Sequence, residues 1–345
     1  MGAAFIHTNF TAMKRLFFLA VVLIVAGLLW SQDLKTKYEP SIDGTIRGKY
    51  EYNTSLEGHR FQVRNARFSV RGAVSPFARY KAEIDLSDEG VTRMLDAYVE
   101  MKASEQLTFI IGQQKVPFST DNLRSPHNFL FANRSFLGKQ LAGLRDVGAT
   151  LEYSFEKQLP LELIAGIYNG KGLYNQKEWR NALSFATRAI YSPSNWEFTL
   201  NYNTIQPYEL RMHVYNAGIM YTFNQWHFEG EFFYKQYEHN AFVDTKGFFA
   251  LASYEIPTPK LKAMESISPR IRYDSMSDDN NGLMNATTNT YTVDDVERAR
   301  ITGGINFNLK KPFINEIRLN YEQYFYSNGT ANNDNKLVIE FVTKF

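Results

Sequence analysis

The feature that most constrains this chain is a two-residue alternation of apolar and polar side chains, recurring in short segments from about residue 42 to the last residue. In 42–52, Ile42, Gly44, Ile46, Gly48, Tyr50 and Tyr52 fall on one side of an extended ribbon, and Asp43, Thr45, Arg47, Lys49 and Glu51 on the other. In 78–86, Ala78, Tyr80, Ala82, Ile84 and Leu86 alternate with Arg79, Lys81, Glu83 and Asp85. Successive side chains of a strand point to opposite faces, so each segment reads as a strand with one apolar and one ionic face. A soluble sandwich would alternate in the same way, and the connections separate the two. Long polar links predicted at 53–60, 87–93, 116–146, 169–182, 204–212, 238–245, 274–297 and 327–335 alternate with short ones such as 76–77, 104–106, 192–195 and 224–225. Short turns at one end and long loops at the other, with an even strand count, are the pattern of an outer-membrane barrel.

Hydrocarbon offers no hydrogen-bond partner, so every strand edge in it must pair, and a closed sheet is the way strands can do this. The expected fold class is therefore all-β: a transmembrane antiparallel β-barrel of about 16 strands with a long, inward-folded third extracellular loop. Closure points the apolar set at lipid and the charged set at a water-filled lumen. Aromatics at strand ends, including Tyr50, Tyr52, Phe155, Tyr191, Trp196, Tyr202, Phe223, Trp226 and Tyr254, suit the interface girdles of such a barrel. Composition agrees: with 44% hydrophobic residues, 21 Tyr and 27 Phe in 345, the chain is too polar for a helical membrane protein and aromatic-rich for a soluble one.

Ahead of the alternating region, Lys14 and Arg15 precede the apolar run Leu16 to Trp30. As a helix this run reaches roughly 22 Å, short of a hydrocarbon core of about 30 Å. Residues 1–31 read as a secretory signal peptide cleaved near Ser31 or Gln32, with Met13 the better start, and 32–345 as the barrel. Removing Lys14 and Arg15 leaves 38 − 2 = 36 basic residues against 36 acidic. The exported chain is formally neutral, so net charge points to no nucleic-acid partner and any charge preference must come from local placement.

The segment 116–146 stands apart. It holds Arg124, Arg134, Lys139 and Arg145 against Asp121 and Asp146, together with Phe118, Phe129, Leu130, Phe131, Phe136 and Leu137. A loop this long and apolar must pack on something. Inside a wide barrel its apolar part can rest on the wall while its basic part narrows the passage. The alternatives are packing against neighbouring loops at the outer surface or a contact between protomers. The expected constriction residues are Lys115, Arg124, Arg134, Lys139 and Arg145.

The run GQQKVPFSTDNLRS from Gly112 to Ser125, then FANRS from Phe131 to Ser135 and RDVGATLEY from Arg145 to Tyr153, resembles the porin O and P family, the phosphate-selective porins, in the branch found in Bacteroidetes-type bacteria. The resemblance implies a trimeric channel of sixteen strands whose third loop folds inward and passes anions along arginines and lysines. The motif covers this loop and its flanks, whereas the strand layout covers the whole exported chain. One departure stands out: the family pattern carries an acidic residue before the second loop arginine, and here Asn133 precedes Arg134.

Parity places Arg47, Lys49, Arg67, Arg71, Arg79, Lys81, Arg188, Arg270, Arg272, Arg300 and Arg318 on the lumen side. A guanidinium stays charged and presents a fork of donors matched to phosphate or carboxylate oxygens. For any single one, however, a cross-strand ion pair with a lumen acid such as Asp43, Glu51, Glu83, Asp85, Asp96, Glu100 or Glu152 is the commoner use. The last segment places Phe341 and Phe345 on its apolar face and ends on Phe345, which looks like the signal read by the barrel-assembly machinery. Six histidines without HExxH spacing, no cysteine, no GxSxG and no Walker motif give no catalytic or metal constellation, and the acidic 274–297 segment lacks the spacing of a calcium loop.

The function these readings predict is an outer-membrane porin forming a passive diffusion channel for small polar solutes, anion-preferring toward phosphate-like or other oxyanions. The alternative is a non-conducting barrel acting as adhesin or structural protein. No enzyme activity and no cofactor are expected. Outer-membrane lipid, lipopolysaccharide, the assembly machinery, small anions and two further copies of the chain are the expected partners.

Overall fold

The computed structural model describes residues 39–345 apart from 142, 144, 157, 174–175, 311, 313 and 328–333; the side chains of Asp88 and Lys139 are also outside the described set. The expected signal peptide, 1–31, lies outside the described residues. The strands are β1 (Ser41–Asn53), β2 (Gly58–Ser75), β3 (Ala78–Asp88), β4 (Val91–Lys102), β5 (Leu107–Lys115), β6 (Arg145–Ser154), β7 (Leu161–Tyr168), β8 (Ser184–Tyr191) and β9 (Trp196–Ile205). They continue with β10 (Met212–Phe223), β11 (Trp226–Tyr237), β12 (Thr245–Tyr254), β13 (Ile256–Pro257), β14 (Met264–Met276), β15 (Arg298–Leu309), β16 (Ile314–Tyr326) and β17 (Lys336–Lys344). β13 resumes β12 past Glu255 and pairs with the same neighbour, β14, so the 17 segments fill 17 − 1 = 16 barrel positions. Each strand pairs antiparallel with its chain neighbour, and β1 also pairs with β17 from Thr45↔Lys344 to Asn53↔Lys336. The sheet thus has no free edge, as lipid requires.

The connections alternate as expected, with four corrections. The link after β1 is only 54–57, and that after β3 is the two-residue turn Glu89–Gly90. Both turn residues have positive φ, 47° and 93°, the geometry that closes a tight hairpin without splaying its strands. The third long connection spans 116–144, because Arg145 and Asp146 already belong to β6, and Asp274 of the predicted acidic loop lies within β14. Both ends of the barrel chain sit on the short-turn side, where Gly44 and Phe345 exchange backbone hydrogen bonds at 2.9 and 3.1 Å. The Phe345 ring lies over Gly44, where an added Cβ would approach ring carbons to 2.2 Å, so glycine is required for that close approach.

Burial is inverted relative to a soluble protein. On β1, Ile42 and Ile46 are 71% and 40% exposed while Arg47 and Glu51 are 1% and 2% exposed. The aromatics form belts on the apolar face. Trp196 stacks on Phe198 and Tyr221, and Trp226 meets Phe228 and Tyr254, all near the short turns. Tyr202, Tyr215 and Tyr234 form a ladder toward the long loops. Amphipathic rings at both ends of an apolar band match two membrane–water interfaces.

Candidate functional site

The buried apolar residues of the third connection share one cluster with residues of the strands. Val116, Phe118, Phe131, Leu137 and Leu141 pack with Ala186, Val214, Phe233, Phe249, Leu251 and Met276. These strand positions lie among buried polar neighbours, on the face opposite the exposed apolar residues. A short helix, Thr120–Leu123, is capped by Ser119, whose hydroxyl accepts from the Asn122 amide, and a second short helix spans Phe136–Leu141.

Between the helices the chain makes a single 3-10 turn at Pro126–Asn128 and then an irregular run, and strand arginines take up its carbonyls. Arg318 donates to the carbonyls of Pro126 (3.4 Å) and His127 (3.1 Å), Arg270 to Leu130 (2.6 Å) and Arg47 to Ala132 (2.6 Å). Arg272 donates to Asn133 (3.1 Å) and Arg134 (3.2 Å), and Arg300 to Arg134 (2.8 Å). Each of these five arginines also faces an acid. Arg47 and Arg318 share Glu340 at 2.6 and 3.0 Å, Arg272 and Arg300 share Asp274 at 2.9 Å each, and Arg270 lies 3.8 Å from Glu316. Stacking reinforces the arrangement, with Arg47 over Phe129 and Arg272 over Phe131. On the other flank, Arg188 donates to the Thr120 hydroxyl at 2.9 Å and the Asp121 amide to Glu231 at 2.9 Å.

Asn133, where the resembling family carries an acid, donates to Glu322 at 2.8 Å. A carboxylate there would have nothing to donate and would meet Glu322 as a like charge, so the amide suits this chain's wall.

The remaining charged positions lie on β2 to β6. Arg67 pairs with Glu83 (3.3 Å) and Asp85 (3.0 Å), Lys81 with Glu83 (2.7 Å) and Asp96 (2.6 Å), and Arg145 with Asp96 (2.7 Å). Lys115 donates to the carbonyls of Leu123 (2.6 Å) and Arg124 (3.2 Å), which ties the loop's first helix to the end of β5. Arg124 is bound by Glu229 and lies 3.8 Å from Asp121. The Arg134 guanidinium stacks on Phe129 at 4.4 Å and donates to the Arg124 carbonyl at 3.0 Å, with no carboxylate partner among the described residues. Burial pushes it down to about 10, opposed by Asp121 and deepened by Arg67, Arg145 and Arg64; it remains charged at neutral pH.

The predicted basic set is thus divided. Lys49 pairs with Glu51 at 2.7 Å, and Arg71 meets Asp43 at the short-turn mouth at 2.5 Å. Arg79 is exposed at the same end, opposite Glu100 in register, and the side chain of Lys139 lies outside the described residues. Phe341 and Phe345, 60% and 48% exposed, lie on the apolar face. The acids Asp274, Glu316, Glu322 and Glu340 escaped the sequence reading, although Glu316 and Glu322 share the parity of Arg318. Arg64 escaped it for a different reason, a bulge in β2.

A closed 16-strand barrel with an apolar outer band and an ionic interior defines the class: this is an outer-membrane porin, a diffusion channel of the bacterial outer membrane. Solved barrels share the fold. The anion-selective porin from Comamonas acidovorans is 11% identical, with 89% of this chain and 99% of that chain covered at a TM-score of 0.62. The outer-membrane channel DcaP of Acinetobacter baumannii is 11% identical, covering 92% and 100% at 0.62, and a loop-deletion mutant of OmpT from Vibrio cholerae is 12% identical, covering 89% and 99% at 0.62. No curated protein sequence matches. Residues 42–211 match the family model described as phosphate-selective porin O and P.

Proposed function

We propose that the 116–144 segment lies across the channel, sets its cross-section, and gives the remaining passage a preference for anions such as phosphate-like or other oxyanions. The observation that carries this reading is Arg134, a charged guanidinium of the segment with no carboxylate in ion-pair reach among the described residues, whose wider electrostatic neighbours are Asp121 and the three arginines Arg67, Arg145 and Arg64. Fixed cations without acid partners raise the local anion concentration and exclude cations by repulsion. The carbonyl contacts to Arg47, Arg270, Arg272, Arg300 and Arg318 would hold the segment against one wall, leaving the passage beside it. The similar Comamonas barrel is described as anion-selective, which accords with the reading. Assembly as a homotrimer is part of the proposal; a similar barrel, OmpT of Vibrio cholerae, is described in a trimer form.

The test is the reversal potential of purified protein in a planar bilayer under a potassium chloride gradient. Replacing Arg124, Arg134 and Lys139 together by Glu is expected to move the potential from the anion side toward the cation side. An unchanged potential in a conducting variant overturns loop-mediated selectivity.

A further inference from the structure

The strongest feature left unexplained is one charged residue that strand parity assigns to the wrong face. On β2, Asn65, Arg67 and Ser69 share the buried ionic face, and strict alternation from them would turn Val63 inward and Arg64 toward lipid. The pairing with β1 does not run straight through this point. Asn65 stands opposite Arg47 and Val63 opposite Gly48, so Arg64 is an extra residue with no cross-strand partner. This is a β-bulge, in which two consecutive residues oppose one and the side chain is re-aimed. Its effect on phase is visible on both sides: Val63 is 55% exposed with the apolar set, and Gln62 and Arg60 stand opposite the inward residues Lys49 and Glu51.

The electrostatic surroundings of Arg64 are those of the interior. Its charge acts on Arg47, Lys49 and Arg134, from β1 and from the 116–144 segment. The residue is half-buried, and among the described residues its guanidinium has neither a hydrogen bond nor an ion pair. Arg67, three residues on, is bound by Glu83 and Asp85, and Arg47 across the bulge by Glu340, Asn65 and the Ala132 carbonyl. An arginine facing lipid would carry a large penalty, and one bound by acids would show a passing anion little net field. Arg64 is in neither situation.

We propose that Arg64, turned inward by the β2 bulge, is a selectivity-determining residue that contacts the permeating anion opposite Arg134. The proposal rests on the reading of the protein as an anion-preferring channel and names a residue of that same passage. A water-exposed guanidinium without an acid partner can exchange its water for anion oxygens and release them again, which a conduction site must do.

Arg64→Gln, Arg64→Glu and Arg64→Lys would be compared with the unaltered protein in planar bilayers under a potassium chloride gradient. Because no acid loses a partner, all three are expected to fold and insert, checked by their shifted migration in unheated gels. Arg64→Gln should lower the chloride-to-potassium permeability ratio about threefold, the factor one unit charge roughly 6 Å away exerts in water. Arg64→Glu should lower it further, and Arg64→Lys should keep most of it. A conducting, anion-preferring wild type whose ratio is unmoved by Arg64→Glu overturns the role of Arg64 and leaves the channel reading intact. A wild type without anion preference overturns the reading beneath it.

Discussion

Two walls of this barrel carry arginines at equivalent alternating positions and use them differently. On β14 to β17 and β1, Arg47, Arg272, Arg300 and Arg318 are at most 3% exposed, and each is shared between a wall carboxylate and a carbonyl of the 116–144 segment. On β2 to β6, the Arg67 and Lys81 side chains are 14% and 24% exposed and pair only with wall acids. The arginines of the first wall give donors to carbonyls of the 116–144 segment, whereas Arg67 and Lys81 on the second give theirs to wall acids and stay more exposed. What an inward arginine does is therefore decided by what lies above it: a covered one is a clamp, and an open one is a candidate to meet solute.

The contrast breaks most directly through stability. Arg318→Ala removes a buried partner from both Glu316 and Glu340 and frees the carbonyls of Pro126 and His127. Breaking a buried pair in this way is expected to cost about 3–5 kcal/mol. Lys81→Ala, on the open wall, should cost no more than about 1 kcal/mol, because water can replace the lost partner. Urea-dependent folding into lipid vesicles measures both. Equal losses at the two sites would remove the distinction between the walls.

The next test sharpens the inside-to-outside contrast on which both walls depend. Ile46 and Ile301 are 40% and 41% exposed on the apolar face, whereas Thr45 and Thr302 beside them are 7% and 0% exposed. Lys or Arg at Ile46 or Ile301 should destabilise by about 2–4 kcal/mol near the bilayer midplane when measured by the same folding assay. Mild losses there, with severe losses for the same changes at Thr45 and Thr302, would reverse the assignment of faces.

Much of this architecture is legible in alternation, because a period of two is a direct consequence of backbone geometry and lipid forces closure. The lumen assignments of Arg47, Arg272, Arg300 and Arg318 follow from parity alone. Three things do not. The Arg64 bulge shifts the phase by one residue, and no residue of β2 marks the place. The clamping of Arg270 and its neighbours depends on carbonyls of a segment more than a hundred residues away, which no local pattern encodes. The tight Glu89–Gly90 turn was hidden by the polar run 87–93, since charged strand ends and loops look alike in composition.

The smallest effect expected lies at the edge of the clamped wall. His127 sits beside Thr45 at 3.5 Å and Lys344 at 3.4 Å, and its carbonyl is held by Arg318. Burial, with the charges of Lys344 and Arg318, pushes its imidazole from 6.5 down to about 4, while Asp43 and Glu83 oppose the shift. A histidine whose folded value lies below its unfolded value is kept neutral by the fold. Its contribution is complete above 6.5 and is lost as pH falls from there through about 4, since the unfolded chain takes up the proton first. Acidification through this window should therefore loosen the 126–128 turn on Arg318, raising open-channel current noise in bilayers. Arg318 and Lys344 would then face an added positive charge. His127→Gln should flatten the dependence, because an amide holds the same position without titrating. Identical pH profiles for the two proteins would show that the clamped edge does not sense protonation at His127.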